Sequence, residues 1–92
     1  MKPELTSPDH KEIFYLSDVT LEWLAVENAA KYKVVIAKDA LFINVVAKLK
    51  TENTSEIFNL PDGKYYWRVK AIDSYGAKSP WSDYRIFKID AE

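Results

Sequence analysis

The 92-residue sequence predicts an all-β domain of about seven strands in two sheets, and three observations carry that reading. Short runs rich in β-branched and aromatic residues alternate with polar ones, as strands with one buried face require. Turn formers separate these runs at intervals of about 8 to 12 residues. The composition, 48% apolar and 14% aromatic with a net charge of -1, suits one folded core and excludes a disordered tail.

The elements follow in order. Pro3-Glu4-Leu5-Thr6-Ser7-Pro8 holds two prolines, which remove backbone donors and suit an edge strand or a lead-in. Ile13 to Leu16 is a second short apolar piece. In Val19-Thr20-Leu21-Glu22-Trp23 the odd positions are apolar and the even ones polar, so Val19, Leu21 and Trp23 face a core. Tyr32, Val34 and Ile36 repeat the alternation on a neighbouring strand of the other sheet, with Lys31 and Lys33 toward water. Residues 37–49 fit either a short helix or a turn followed by a strand. The β-branched Ile43, Val45 and Val46, the poor helix former Asn44 and the turn-like Lys38-Asp39 favour the strand. Ile57 and Leu60 lead to the turn Pro61-Asp62-Gly63. Beyond it Tyr65, Trp67, Val69 and Ala71 share one face, and Tyr66, Arg68 and Lys70 the other. A turn at Ser74-Tyr75-Gly76 precedes Ser79-Pro80-Trp81-Ser82, and Phe87 and Ile89 mark the last strand.

The succession of Trp23, Tyr32 and the stretch Leu60-Pro61-Asp62-Gly63-Lys64-Tyr65-Tyr66-Trp67-Arg68-Val69-Lys70-Ala71 resembles the fibronectin type III domain family, in its bacterial and archaeal surface or secreted form. The later Trp81-Ser82 belongs to the same resemblance, which spans essentially the whole chain. It implies a seven-stranded, two-sheet antiparallel sandwich, immunoglobulin-like, formed by residues 1–92 as a single domain excised from a larger multidomain protein. It also implies a tyrosine corner at Tyr65, whose hydroxyl bonds to backbone upstream. The interval from Leu60 to Tyr65 is one residue shorter than the common form. Trp23, Tyr32, Leu60, Tyr65, Trp67 and Val69 are the expected core.

Trp81 is similar to half of the Trp-Ser-x-Trp-Ser box of cytokine receptors, in which arginines sandwich the indole. A stack of Trp81 on Arg68 is therefore expected, structural in purpose. The second Trp-Ser is absent, since Asp83-Tyr84-Arg85 follows Ser82, so receptor function does not carry over. Tyr66, Tyr75, Tyr84 and Trp81 form the candidate ligand surface, where exposed, coplanar rings would let sugars stack. Paired surface tyrosines that simply stabilise a sheet are the plainer reading. The loop Asp73-Ser74-Tyr75-Gly76-Ala77-Lys78 lacks the Arg-Gly-Asp adhesion motif of some family members.

Catalytic and cofactor chemistry finds no foothold. The one histidine, His10, sits between Asp9 and Lys11 and is expected to be solvated, and no Gly-x-Ser-x-Gly elbow occurs. Asp62, Asp73 and Asp83 are scattered among turns, cysteine is absent, and Gly63 and Gly76 are accounted for by turns. No catalytic residue, cofactor or metal site is expected. With 13 basic against 14 acidic residues, nucleic acid is not an expected partner. No apolar run spans a bilayer and the first residues lack the apolar region of a signal peptide.

The family resemblance implies a non-catalytic extracellular or cell-surface module, monomeric, that spaces or docks neighbouring domains of its own chain. A carbohydrate-binding module acting through exposed aromatics is the alternative. A module that docks a protein through a sheet edge is the second, and Lys48 and Lys50 guard one such edge against promiscuous pairing.

Overall fold

The structure is a computed structural model that describes residues 2–91. Eight strands form: β1 (Leu5–Ser7), β2 (Glu12–Phe14), β3 (Asp18–Trp23), β4 (Ala29–Ala37), β5 (Val45–Thr51), β6 (Ser55–Asn59), β7 (Gly63–Asp73) and β8 (Arg85–Ile89). They make a three-stranded sheet in the order β1-β3-β6 and a five-stranded sheet in the order β2-β8-β7-β4-β5. The sandwich has one strand more than the seven expected, because the opening segment divides between the sheets. Leu5 pairs with Trp23 on β3, and Glu12 to Phe14 pair with Phe87 to Ile89 on β8. Pro8, buried between them, has no N–H to extend β1. Backbone bonds from Lys11 to Ile86 and from Glu12 to Asp9 then turn the chain onto the other sheet. The β2–β8 pair is parallel, the one exception to antiparallel pairing among the named strands.

Period-two alternation builds the core. On β3 Val19, Leu21 and Trp23 are buried while Asp18, Thr20 and Glu22 are exposed. Tyr32, Val34 and Ile36 of β4 lie directly opposite Ala71, Val69 and Trp67 of β7. Trp23 meets Tyr32 edge-on at a centroid separation of 5.8 Å and Trp67 at 6.4 Å, while Tyr65 stacks on Phe87 at 5.4 Å. Rings of this size each bury about 150–250 Å² and dominate the packing of so small a domain. Leu60 and Val69 complete the expected core. The Tyr65 hydroxyl donates to the carbonyl of Pro61 at 2.5 Å, which is the tyrosine corner. Burial, aided by the Asp62 carboxylate, raises the Tyr65 phenol above its ordinary pKa and keeps that donor protonated.

Residues 37–49 resolve as the turn followed by a strand. The Asp39 carboxylate accepts the N–H groups of Ile43 and Asn44, at 3.1 and 2.8 Å. Its pKa falls below the usual aspartate value, chiefly through Asn44, with burial opposing and Ile43 adding to the shift. Within this loop Phe42 adopts a φ of 57° and turns its ring down onto the outer face of β4.

Candidate functional site

The outer face of the five-stranded sheet carries the residues the sequence marks as a ligand surface. Lys64, Tyr66, Arg68 and Lys70 project from it because they alternate along β7 with the buried Tyr65, Trp67, Val69 and Ala71. The Arg68 guanidinium lies 4.3 Å from the centroid of the Trp81 ring and 4.1 Å from that of Phe42. The expected stack of Trp81 on Arg68 is therefore present, with Phe42 as a second aromatic wall that the sequence reading did not foresee. Burial lowers the pKa of Arg68, and its buried Nε has no hydrogen-bond partner, so the ring faces take over part of the role of solvent. Lys70 Nζ lies 4.5 Å from the Trp81 ring and Lys64 Nζ 5.5 Å from that of Tyr66. Tyr84 joins the line by packing edge-on against Tyr66 at 5.4 Å and Phe42 at 6.4 Å.

Two serines hold Trp81 in place. β8 pairs with β7 only from Gly63 to Trp67, which leaves the farther half of β7 without a strand on that side. There the N–H of Val69 donates to Ser82 Oγ at 3.0 Å and that of Ala71 to Ser79 Oγ at 2.8 Å. Ser82 and Ser79 return their own N–H groups to the carbonyls of Val69 and Ala71. Hydroxyls thus stand where an adjacent strand would present carbonyls, and the Pro80-Trp81 segment between them is fixed against the sheet. The Ser-x-x-Ser spacing around Trp81 was the available signal for this arrangement.

Of the four candidate ligand residues, the fold gathers Trp81, Tyr66 and Tyr84 and leaves Tyr75 apart. Tyr75 is 95% exposed in the turn beyond the far end of β7. The gathered rings do not form one plane: Tyr66 and Tyr84 are inclined by 66° and Trp81 is engaged by Arg68 and Lys70. A flat platform for stacked sugars is not what this geometry presents.

The polar residues considered for chemistry have local structural partners. His10 is exposed but not merely solvated, since its Nδ1 accepts the N–H of Ile86 at 3.2 Å. Asp73 accepts the N–H groups of Tyr75 and Ala77, Asp62 that of Ala91, and Asp83 pairs with Lys2 at 2.8 Å. Among the described residues, no group of three or more His, Cys, Asp or Glu is placed to hold a metal ion. No helix among them is long and apolar enough to cross a membrane.

No family model and no curated protein matches the sequence. Solved structures do match it in shape. An Fn3-like protein from Clostridium thermocellum superposes with a TM-score of 0.72 at 18% identity, covering 98% of this chain and 93% of that one. The fibronectin(III)-like modules of Clostridium thermocellum CbhA give 0.70 at 15% identity over 95% and 94%. A beta-1,2-glucanase from Parabacteroides distasonis gives 0.72 at 19% identity over 96% of this chain and 12% of its own. With its two sheets, its tyrosine corner and these neighbours, the chain has the fold of a fibronectin type III-type domain.

Proposed function

We propose that this chain is a non-catalytic module that spaces or docks neighbouring domains within a multidomain surface or secreted protein. The observation that carries the reading is the placement of the first and last strands. β1 starts beside Trp23, at the end of β3, whereas β8 finishes beside Gly63 and Phe14, at the opposite end of the sandwich. A chain that enters at one pole and leaves at the other sets its neighbours apart along the long dimension, here 44 Å. The fold also recurs as a small part of a larger chain in the glucanase neighbour. Fold alone does not assign a role, so the reading stands on this geometry. Its test is the scattering profile of tandem copies of this chain joined end to end. The maximum dimension should grow by about one module length, on the order of 40 Å, with each copy added. Tandem copies that collapse side by side would overturn the spacer reading.

A further inference from the structure

Charge is divided unevenly between the two sheets. The strands of the five-stranded sheet carry most of the chain's 13 lysines and arginines and, as acids, only Glu12 and Asp73. Those of the three-stranded sheet carry Asp18, Glu22 and Glu56 and no base. The near-neutral total conceals this division.

The register sharpens it. Lys33 on β4 lies directly opposite Lys50 on β5 and directly opposite Lys70 on β7. The three lysines thus form a row across three adjacent strands at steps of about 4.8 Å, spanning about 10 Å. Like charges directly opposite one another destabilise a sheet. No acid relieves them, because the one salt bridge among the described residues joins Lys2 to Asp83. Burial lowers the pKa of Lys70, and Lys78, Lys33, Arg68 and Lys50 add to that shift in turn, so these cations share one field. The Trp81 ring beneath Lys70 pins its ammonium and reduces the freedom it would lose on binding.

We propose that the row formed by Lys50, Lys33 and Lys70 binds an anionic polysaccharide, one bearing a carboxylate or sulfate on successive sugar rings, laid across the strands. The direction of the row selects this class. A peptide adding to the sheet edge would run along β5 and meet Lys48 and Lys50, leaving Lys33 and Lys70 one and two strands away. A peptide crossing the face would find the sheet's backbone groups already paired and its own unanswered. Single-stranded nucleic acid binds through free aromatic faces, and here Trp81 is taken by Arg68 and Lys70 while Tyr66 and Tyr84 pack on each other. Charge without stacking is what a polyuronate or sulfated glycan requires. This inference goes beyond the spacer reading and survives its failure.

The test is an amide NMR titration with oligogalacturonate and dextran sulfate, against neutral dextran, poly-L-glutamate and duplex DNA. Shifts centred on Lys33, Lys50 and Lys70 with the anionic glycans alone, weakening as salt rises, are expected. Lys33→Gln should weaken binding by about fivefold, and Lys64→Gln with Lys88→Gln by less than about twofold, as that pair lies at the other end of the face. Each variant's free spectrum reports whether it is folded, and Lys33→Gln, which relieves two repulsions, should melt no lower than the parent. Equal losses in both variants would reduce the effect to bulk charge and sink the proposal. So would silence toward both glycans, or tighter binding of poly-L-glutamate or DNA at equal charge.

Discussion

Strand β7 divides two aromatic clusters that hold together by different means. On its inner side Tyr65 and Trp67 pack against Phe87 and Trp23, ring on ring, with all four side chains sealed from water. On its outer side Tyr66, Trp81 and Tyr84 are only partly covered around the buried Phe42, and the four rings are tied together by cations threaded among them. The inner cluster is stabilised by removing apolar area from water. The outer one stabilises rings and charges jointly, because neither is fully dehydrated without the other. Exposed aromatics on a sheet therefore do not by themselves mark a ligand site; their partners decide what they do.

Four measurements would break or sharpen this contrast. Trp67→Ala strikes the inner cluster and should lower unfolding free energy by about 3–5 kcal/mol in denaturant titration, the range for deleting a buried large ring. A loss under 1 kcal/mol would mean that the core does not depend on the ring. Ser82→Ala removes the acceptor of the Val69 N–H in a buried position and should cost about 1–3 kcal/mol. A neutral result would show that Trp81 seats itself. A double-mutant cycle of Arg68→Met and Trp81→Leu should return a coupling of about 0.5–2 kcal/mol. Zero coupling would reduce the outer cluster to ordinary apolar packing.

The smallest effect concerns acid. The Asp39 carboxylate, which braces the Phe42 loop, has a folded pKa below its unfolded one, so its contribution is present above the unfolded value of about 3.9. That contribution is lost as pH falls through the depressed folded value. Melting curves of the parent and of Asp39→Ala should therefore stay a constant interval apart above about pH 4 and converge below it. Curves that remain parallel into the acid range would mean that the carboxylate's charge does not hold the loop.

The inner cluster was legible because Trp23, Tyr32, Tyr65, Trp67 and Val69 obey a simple period set by the pleat, and burial enforces it. The stack of Arg68 on Trp81 was legible too, through likeness to a known box. Phe42 was not, because its burial depends on a loop braced by one carboxylate and on a left-handed backbone that few sequence rules assign to phenylalanine. The division of the opening segment was hidden for a related reason: Leu5 and Ile13 look alike as short apolar pieces, and only sheet edges far away in sequence separate them. The lysine row was invisible to composition because it arises from register between strands, not from any cluster along the chain.

The serine clasp beside β7 has a consequence for how these domains keep company at high concentration. A strand whose outer half lacked partners would offer a ladder of free amides to any extended chain, the usual seed of aggregation. Ser79 and Ser82 close that ladder with their hydroxyls and their own N–H groups and need no extra strand, and they hold the Pro80-Trp81 segment between them against the sheet. Two serines thereby do at this half of β7 what a guard strand does elsewhere, leaving the amides of Val69 and Ala71 nothing to offer a second chain.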